Sequence, residues 1–236
     1  MRSADSAAAI IAERFVAKLP AESEIGLAFF SSNYTPMAPL SKDRSKLTFA
    51  LEALKNGQYY AEGQTALWSA VREAAKMFGS PSLGDTIYII SDGADNRSGI
   101  HMRDELEALS SSGIRLFVAL LLAPIGLRMR SIEALNGPGI IKEAARITGG
   151  TLLFDPEAPG GYYSDLALLG KDGKPTQFAN DLNRQLEQIL HYYRLELTLP
   201  KQVDKPQSWK LQIAGAGQSS AAKLQLSYPT LLMPCQ

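Results

Sequence analysis

The chain has 236 residues, 45% hydrophobic and 20% charged, with 24 basic and 24 acidic side chains and no net charge at pH 7. A charge-balanced chain of ordinary hydrophobic content lacks the electrostatic footprint for nucleic acid or an anionic membrane surface, and it is not disordered. A single cysteine, Cys235, excludes an internal disulfide, a thiolate zinc cage and an iron–sulfur centre, and two histidines, His101 and His191, leave little imidazole chemistry.

Along the chain, residues 4–19 read as a helix with Ala8, Ile11, Ala12, Phe15, Val16 and Leu19 on one face and Pro20 as its stop. Residues 25–30 are a short apolar run ending in Ser31-Ser32-Asn33, which predicts a buried strand. Pro36 and Pro39 make residues 34–40 an edge strand or a loop. Residues 43–55 read as a helix stopped by Asn56-Gly57, and Thr65 is placed to cap a helix over 66–78. Residues 86–90 are a strand running directly into Ser91-Asp92-Gly93-Ala94-Asp95-Asn96. A helix over 101–111 ends at Gly113, a second buried strand covers 114–122, a helix covers 138–148, and a third strand covers 151–154. Gly137-Pro138-Gly139 reads as a loop. The longest apolar run, residues 116–123, is strand-sized, so membrane insertion is not expected.

This alternation of strands and helices predicts an α/β domain over residues 1–155, a doubly wound, mostly parallel sheet covered on both faces. Residues 156–175 are rich in Gly, Pro and Asp and read as a loop. Residues 176–236 predict a helix, 176–191, then three half-exposed antiparallel strands, 194–199, 209–213 and 223–228, from their period-two leucines and aromatics. Tyr192 and Tyr193 are expected to pack between that helix and the next strand, and the two histidines to lie at or near the surface.

In an open parallel sheet, ligands bind beyond the carboxyl ends of the strands. Thr65 and Asp92 fall there, and a hydroxyl with a carboxylate suits Mg²⁺, which keeps several waters and takes one or two carboxylates. The blander reading is a helix cap and an Asp-Gly turn. No phosphate-binding glycine loop, nucleophile elbow or His-Glu-x-x-His pair is present.

Gly63-Gln64-Thr65-Ala66-Leu67-Trp68-Ser69-Ala70, followed by Ile87-Tyr88-Ile89-Ile90-Ser91-Asp92-Gly93-Ala94-Asp95-Asn96, resembles a von Willebrand factor type A domain, in particular its bacterial VWFA-related group. The first helix with Glu24-Ile25-Gly26-Leu27-Ala28-Phe29-Phe30-Ser31, and the tail from Tyr192-Tyr193-Arg194-Leu195 to Tyr228, are similar to other parts of that group. The resemblance implies a non-enzymatic protein-interaction or adhesion module. Its partner would be another protein whose acidic residue completes the shell of a divalent cation held at a metal-ion-dependent adhesion site. By position, Thr65 and Asp92 correspond to two of the ligands, with Gly63, Ser91, Gly93 and Asn96 shaping the rim.

The family's Asp-x-Ser-x-Ser and the strand that carries it have no counterpart here, and Asp5-Ser6 lies in helix-forming sequence instead. The resemblance places that strand between those at 25–30 and 86–90. Two expectations follow: a chain that starts late relative to its family, or two strands that close up and pair directly. With three oxygen ligands gone, Mg²⁺ binding is expected to be weak. The alternative function is a Mg²⁺-dependent phosphoryl-transfer enzyme or hydrolase using Asp92. Residues 1–5 hold no apolar core of a secretory leader; related bacterial proteins are often exported, and the residues assign no compartment.

Overall fold

A computed structural model of the chain describes residues 4–59, 64–121, 132–154, 166–212 and 226–234. Its elements in chain order are α1 (Ala4–Val16), β1 (Ile25–Phe30), β2 (Tyr34–Ser41), α2 (Arg44–Lys55), α3 (Leu67–Lys76), β3 (Thr86–Ser91), α4 (Met102–Ser112), β4 (Arg115–Leu120), α5 (Ile132–Ile147), β5 (Leu152–Leu153), α6 (Gln177–Leu190), β6 (Gln207–Ser208) and β7 (Leu231–Leu232).

The centre is a parallel sheet in the order β3-β4-β5. Thr86 to Ser91 run in unbroken register beside Arg115 to Leu120. Every residue of β4 is buried. Side chains alternate between two apolar layers, as the pleat requires. Ile87, Ile89, Leu116, Val118 and Leu120 join Leu67, Trp68, Leu106, Leu109 and Ile141 from α3, α4 and α5. Ala119 and Leu153 join Ile11 and Phe15 of α1 and Phe178, Leu182 and Leu186 of α6, with Tyr88 and Ile90 packed against them. A sheet covered on both faces needs apolar residues at odd and even positions alike, which is why these strands lack a two-residue period. The α/β, doubly wound reading therefore holds.

Helix ends follow local chemistry. Asp43 caps α2 by accepting the Ser45 N–H, Thr176 caps α6 by accepting the Ala179 N–H, and Gly113 ends α4 at φ 72°. A polar thread ties α6 to the sheet: Tyr88 Oη donates to Gln185 Oε1 at 2.8 Å, and Gln185 Nε2 donates to the Thr151 carbonyl at 3.0 Å. Burial pushes the Tyr88 phenol above its ordinary pKa, so it remains a donor.

Four expectations need correction. The run at 25–30 is a strand, but all six residues of β1 are half-buried. It pairs antiparallel with the proline-bearing edge strand β2, from Ile25↔Ser41 to Phe30↔Tyr34, and among the described residues no ladder joins β1 to β3. Direct pairing of the two strands is thus overturned. Second, Gly137-Pro138-Gly139 is no loop; it lies inside α5, which starts at Ile132 rather than at 138. Proline costs a helix one backbone bond, and the packing of α5 on β4 and on the loop after β3 outweighs that loss. Third, Tyr193 is 96% exposed and Tyr192 is 50% exposed, lying against the Arg115 guanidinium with its hydroxyl on the Leu83 carbonyl instead of between the helix and a following strand.

The fourth correction concerns the tail. Residues 194–199 form no strand, and Leu195, Leu197 and Leu199 are exposed. Residues 209–212 and 226–228 are not in strands either, and 213 and 223–225 lie outside the described residues. The only tail ladder among the described residues is the two-residue pairing of β6 with β7, Gln207↔Leu232 and Ser208↔Leu231. Alternation assigns side chains to faces, but a strand also needs a neighbouring backbone to pair with.

Candidate functional site

The rim lies where β3 ends and α3 begins. Ser91 Oγ accepts the Gly93 N–H at 3.1 Å and Asp92 Oδ1 accepts the Ala94 N–H at 3.1 Å. Asp95 Oδ1 accepts the N–H groups of Arg97 and Ser98 at 3.3 and 3.0 Å. Side chains that bond the backbone two or three residues onward shape a compact loop from local sequence alone. Gly93 has φ 81°, and a β-carbon there would come within 2.9 Å of the Gly137 backbone. Glycine at both positions is what lets the loop press on α5.

Thr65 does not cap α3, which corrects the sequence reading. The cap position is Ala66, which makes no side-chain bond, and α3 starts at Leu67. Ser98 Oγ, from the far loop, accepts the Ser69 N–H in the first turn at 3.0 Å. Thr65 is instead clasped by Asn96. Asn96 Oδ1 accepts the Thr65 N–H at 2.7 Å, and the Asn96 and Arg97 N–H groups donate to the Thr65 carbonyl at 3.0 and 3.1 Å. Arg97 Nη1 adds a 2.9 Å bond to Gln64 Oε1. Both backbone groups of Thr65 are thereby committed to one loop. Among the described residues, Thr65 Oγ1 and Asp92 Oδ2 make no hydrogen bond, so a hydroxyl and a carboxylate oxygen stay available on clasped segments.

Of the rim residues named from sequence, Ser91, Asp92, Gly93 and Asn96 share this loop, Thr65 is bound to it, and Gly63 lies outside the described residues. Gln64, Arg97 and Ser98 were missed, because a contact between positions about 30 apart leaves no local signal. A cleft of about 310 Å³ adjoins the loop, lined by Trp68, Gly93, Asp95, His101, Asn136 and Ile140 among others. His101 and His191 are both exposed, and His191 Nδ1 sits 2.8 Å from Glu187 Oε2. Among the described residues, no three or more His, Cys, Asp or Glu side chains converge as a metal cluster.

The clasp gives a direct test. Asn96→Ala removes the acceptor of the Thr65 N–H and should cost about 1 kcal/mol locally, which speeds hydrogen exchange of that amide by roughly fivefold. Asn96→Asp, which keeps an acceptor oxygen, should restore most of the protection. A Thr65 amide indifferent to both changes would show that the side-chain half of the clasp contributes nothing.

Residues 1–94 match the family model of the von Willebrand factor type A domain. The matched stretch is less than half of the chain. It holds Thr65 and ends just past Gly93, so the resemblance read from the two motifs is borne out. The chain is similar to the solved structure of an aerotolerance-related membrane protein from Bacteroides fragilis carrying multiple mutations to serine. The two are 18% identical, with a TM-score of 0.53, over 79% of this chain and 88% of that one. At that identity the likeness shows the shared fold. The conserved hypothetical protein BatB from Bacteroides thetaiotaomicron is 20% identical over 63% of this chain and 78% of its own, with a TM-score of 0.48. An uncharacterized membrane spanning protein from Vibrio fischeri is 16% identical over 63% of this chain and 75% of its own, with a TM-score of 0.27. No curated protein matches the chain. In this chain, no helix among the described residues is long and apolar enough to cross a membrane.

Proposed function

We propose that the chain is a non-enzymatic protein-interaction module whose contact point is the rim, with Thr65 and Asp92 as a partial metal-ion-dependent adhesion site. The observation that carries this reading is the Asn96 clasp, which binds the segment of Thr65 to the loop of Asp92 by three hydrogen bonds. The donors suit Mg²⁺ in kind, since both are hard oxygens, but two protein oxygens leave most of an octahedral shell to water, which keeps affinity low. Asp92 would hold the cation directly or through water, Thr65 would orient a bound water, and an acidic side chain of a partner protein would complete the shell. Ser91 and Gly93 set the loop that presents Asp92.

Titration calorimetry with Mg²⁺ and Mn²⁺ tests the site. The expected result is millimolar affinity that disappears in Asp92→Ala. Sub-micromolar, Asp92-dependent affinity would contradict a partial site, and affinity untouched by Asp92→Ala would remove the site altogether. A panel of phosphomonoesters and nucleotides tests the non-enzymatic reading in parallel, because Asp92-dependent turnover would favour a hydrolase instead.

A further inference from the structure

After α6 the chain presents a stretch of backbone that pairs with nothing. Among the described residues, no backbone N–H or carbonyl of residues 193–199 bonds to another backbone group. The same stretch holds Tyr193, Leu195, Leu197 and Leu199, four of the ten exposed large hydrophobic side chains among the described residues. An exposed leucine by itself is ordinary, but apolar side chains at every second position make a patch.

The stretch is extended. Arg194 Nη2 lies 3.2 Å from Glu196 Oε1. Side chains two residues apart meet when the backbone is extended and diverge when it is helical. Leu195 and Leu197 therefore share the opposite side. The result is a ribbon, apolar at odd positions and polar at even ones, whose backbone edges are open among the described residues. Such an edge is a template for another strand. The short strands of the tail do not fill it, since β6 pairs with β7.

Charge selects the occupant. In an antiparallel pair, directly opposite residues project from the same face and interact. A second copy of the stretch, antiparallel and centred on Leu195, sets Leu195 against Leu195 and Tyr193 against Leu197 on the apolar face. On the polar face it sets Arg194 against Glu196 twice, once on each side of the centre. Other alignments lose this. A parallel in-register pair sets each charge beside its own kind, and a centre on Arg194 or Glu196 does so at that residue. A centre on Leu197 sets Glu196 against Thr198 and Arg194 against Pro200, without an ion pair. A slip by one residue puts leucine opposite charge.

We propose that residues 193–197 form a two-fold antiparallel contact between two copies of the chain, centred on Leu195. Five residues a side make an interface well below the roughly 1,200 Å² of stable complexes, so the association is weak, with a dissociation constant on the order of 100 µM. The contact uses neither Thr65 nor Asp92, so it goes beyond the rim reading and is independent of it.

Sedimentation equilibrium of the full chain, across concentrations bracketing that constant, is expected to show a monomer–dimer equilibrium that Asp92→Ala leaves unchanged. Arg194→Glu or Glu196→Arg, each setting like charges face to face twice, should weaken self-association roughly tenfold. An equal mixture of the two variants should associate again, because every facing pair is then of opposite charge. Register is read by cross-linking in a chain carrying Cys235→Ser. Leu195→Cys should form an intermolecular disulfide under mild oxidation, since facing Cα atoms lie roughly 4.5–5.5 Å apart. Leu199→Cys, about eight residues out of register with its own mate, should cross-link at least roughly tenfold more slowly. A chain that stays monomeric throughout, as it would if the stretch paired within its own chain, overturns the proposal. A dimer that ignores both charge reversals, a mixture that fails to associate, or equal cross-linking at the two positions overturns it as well.

Discussion

Phe178→Ala is expected to lower the melting temperature by roughly 10 °C, because deleting a buried phenyl ring costs about 3–5 kcal/mol and each kcal/mol shifts a domain of this size by about 2–4 °C. Phe178 is fully buried and stacks on Phe154, with centroids 5.9 Å apart and planes 10° from parallel. Its layer contains Ile11 and Phe15 from α1, Leu182 and Leu186 from α6, and Ala119 and Leu153 from the sheet. Side chains from four elements, α1, α6, β4 and β5, meet there, so a cavity cannot close by moving one of them. Phe178→Leu should keep more than half of the lost stability. A fall of less than about 3 °C in Phe178→Ala, by circular dichroism melts, would show that α6 is not bound to the sheet through this layer.

Arg115→Met should cost about 3 kcal/mol, for a different reason: three part-buried carbonyls lose a charged donor at once. Arg115 opens β4 and is 8% exposed. Nη1 donates to the Gln188 carbonyl at 2.7 Å, and Nη2 donates to the Ile189 carbonyl at 2.8 Å and the Gly84 carbonyl at 3.0 Å. A cation at the last carbonyls of α6 also meets the negative end of the helix dipole. The guanidinium lies 5.3 Å from the Phe117 ring centre and 4.8 Å from that of Tyr192, whose hydroxyl donates to the Leu83 carbonyl at 2.9 Å. Burial pulls the Arg115 pKa below its ordinary value, while the Tyr192 phenol opposes the shift. Methionine keeps the aliphatic stem between the rings, so urea titration of Arg115→Met isolates the polar loss. An unchanged midpoint would mean that water replaces the guanidinium without cost.

The helices α2, α4 and α6 and the strands β3 and β4 were legible because each carries its signal locally: an apolar stripe of helical period with a cap, or a β-branched run with a turn after it. Thr65 and Asp92 were legible as rim residues because a parallel sheet puts strand ends and helix starts on one side. The clasp was only half legible. Asn96 stood out as a loop residue, but nothing near it in sequence names Thr65 as its partner. α5 was misjudged at its start because Gly137-Pro138-Gly139 disfavours helix locally, while the glycine at 137 also lets α5 approach the Gly93 backbone.

Composition, hydrophobic period and turn chemistry by themselves determined an α/β layered domain with a polar rim after residue 91. Only the tertiary structure decided which strands meet: among the described residues, β1 turns to β2 and is not joined to β3, and the leucine-alternating segment 194–199 finds no ladder. The physical reason is that a side-chain pattern records which faces want to be dry, whereas strand pairing is made by backbone groups common to all residues but proline. Their partners are set by where the helices hold each strand, and the chain carries no local mark of that.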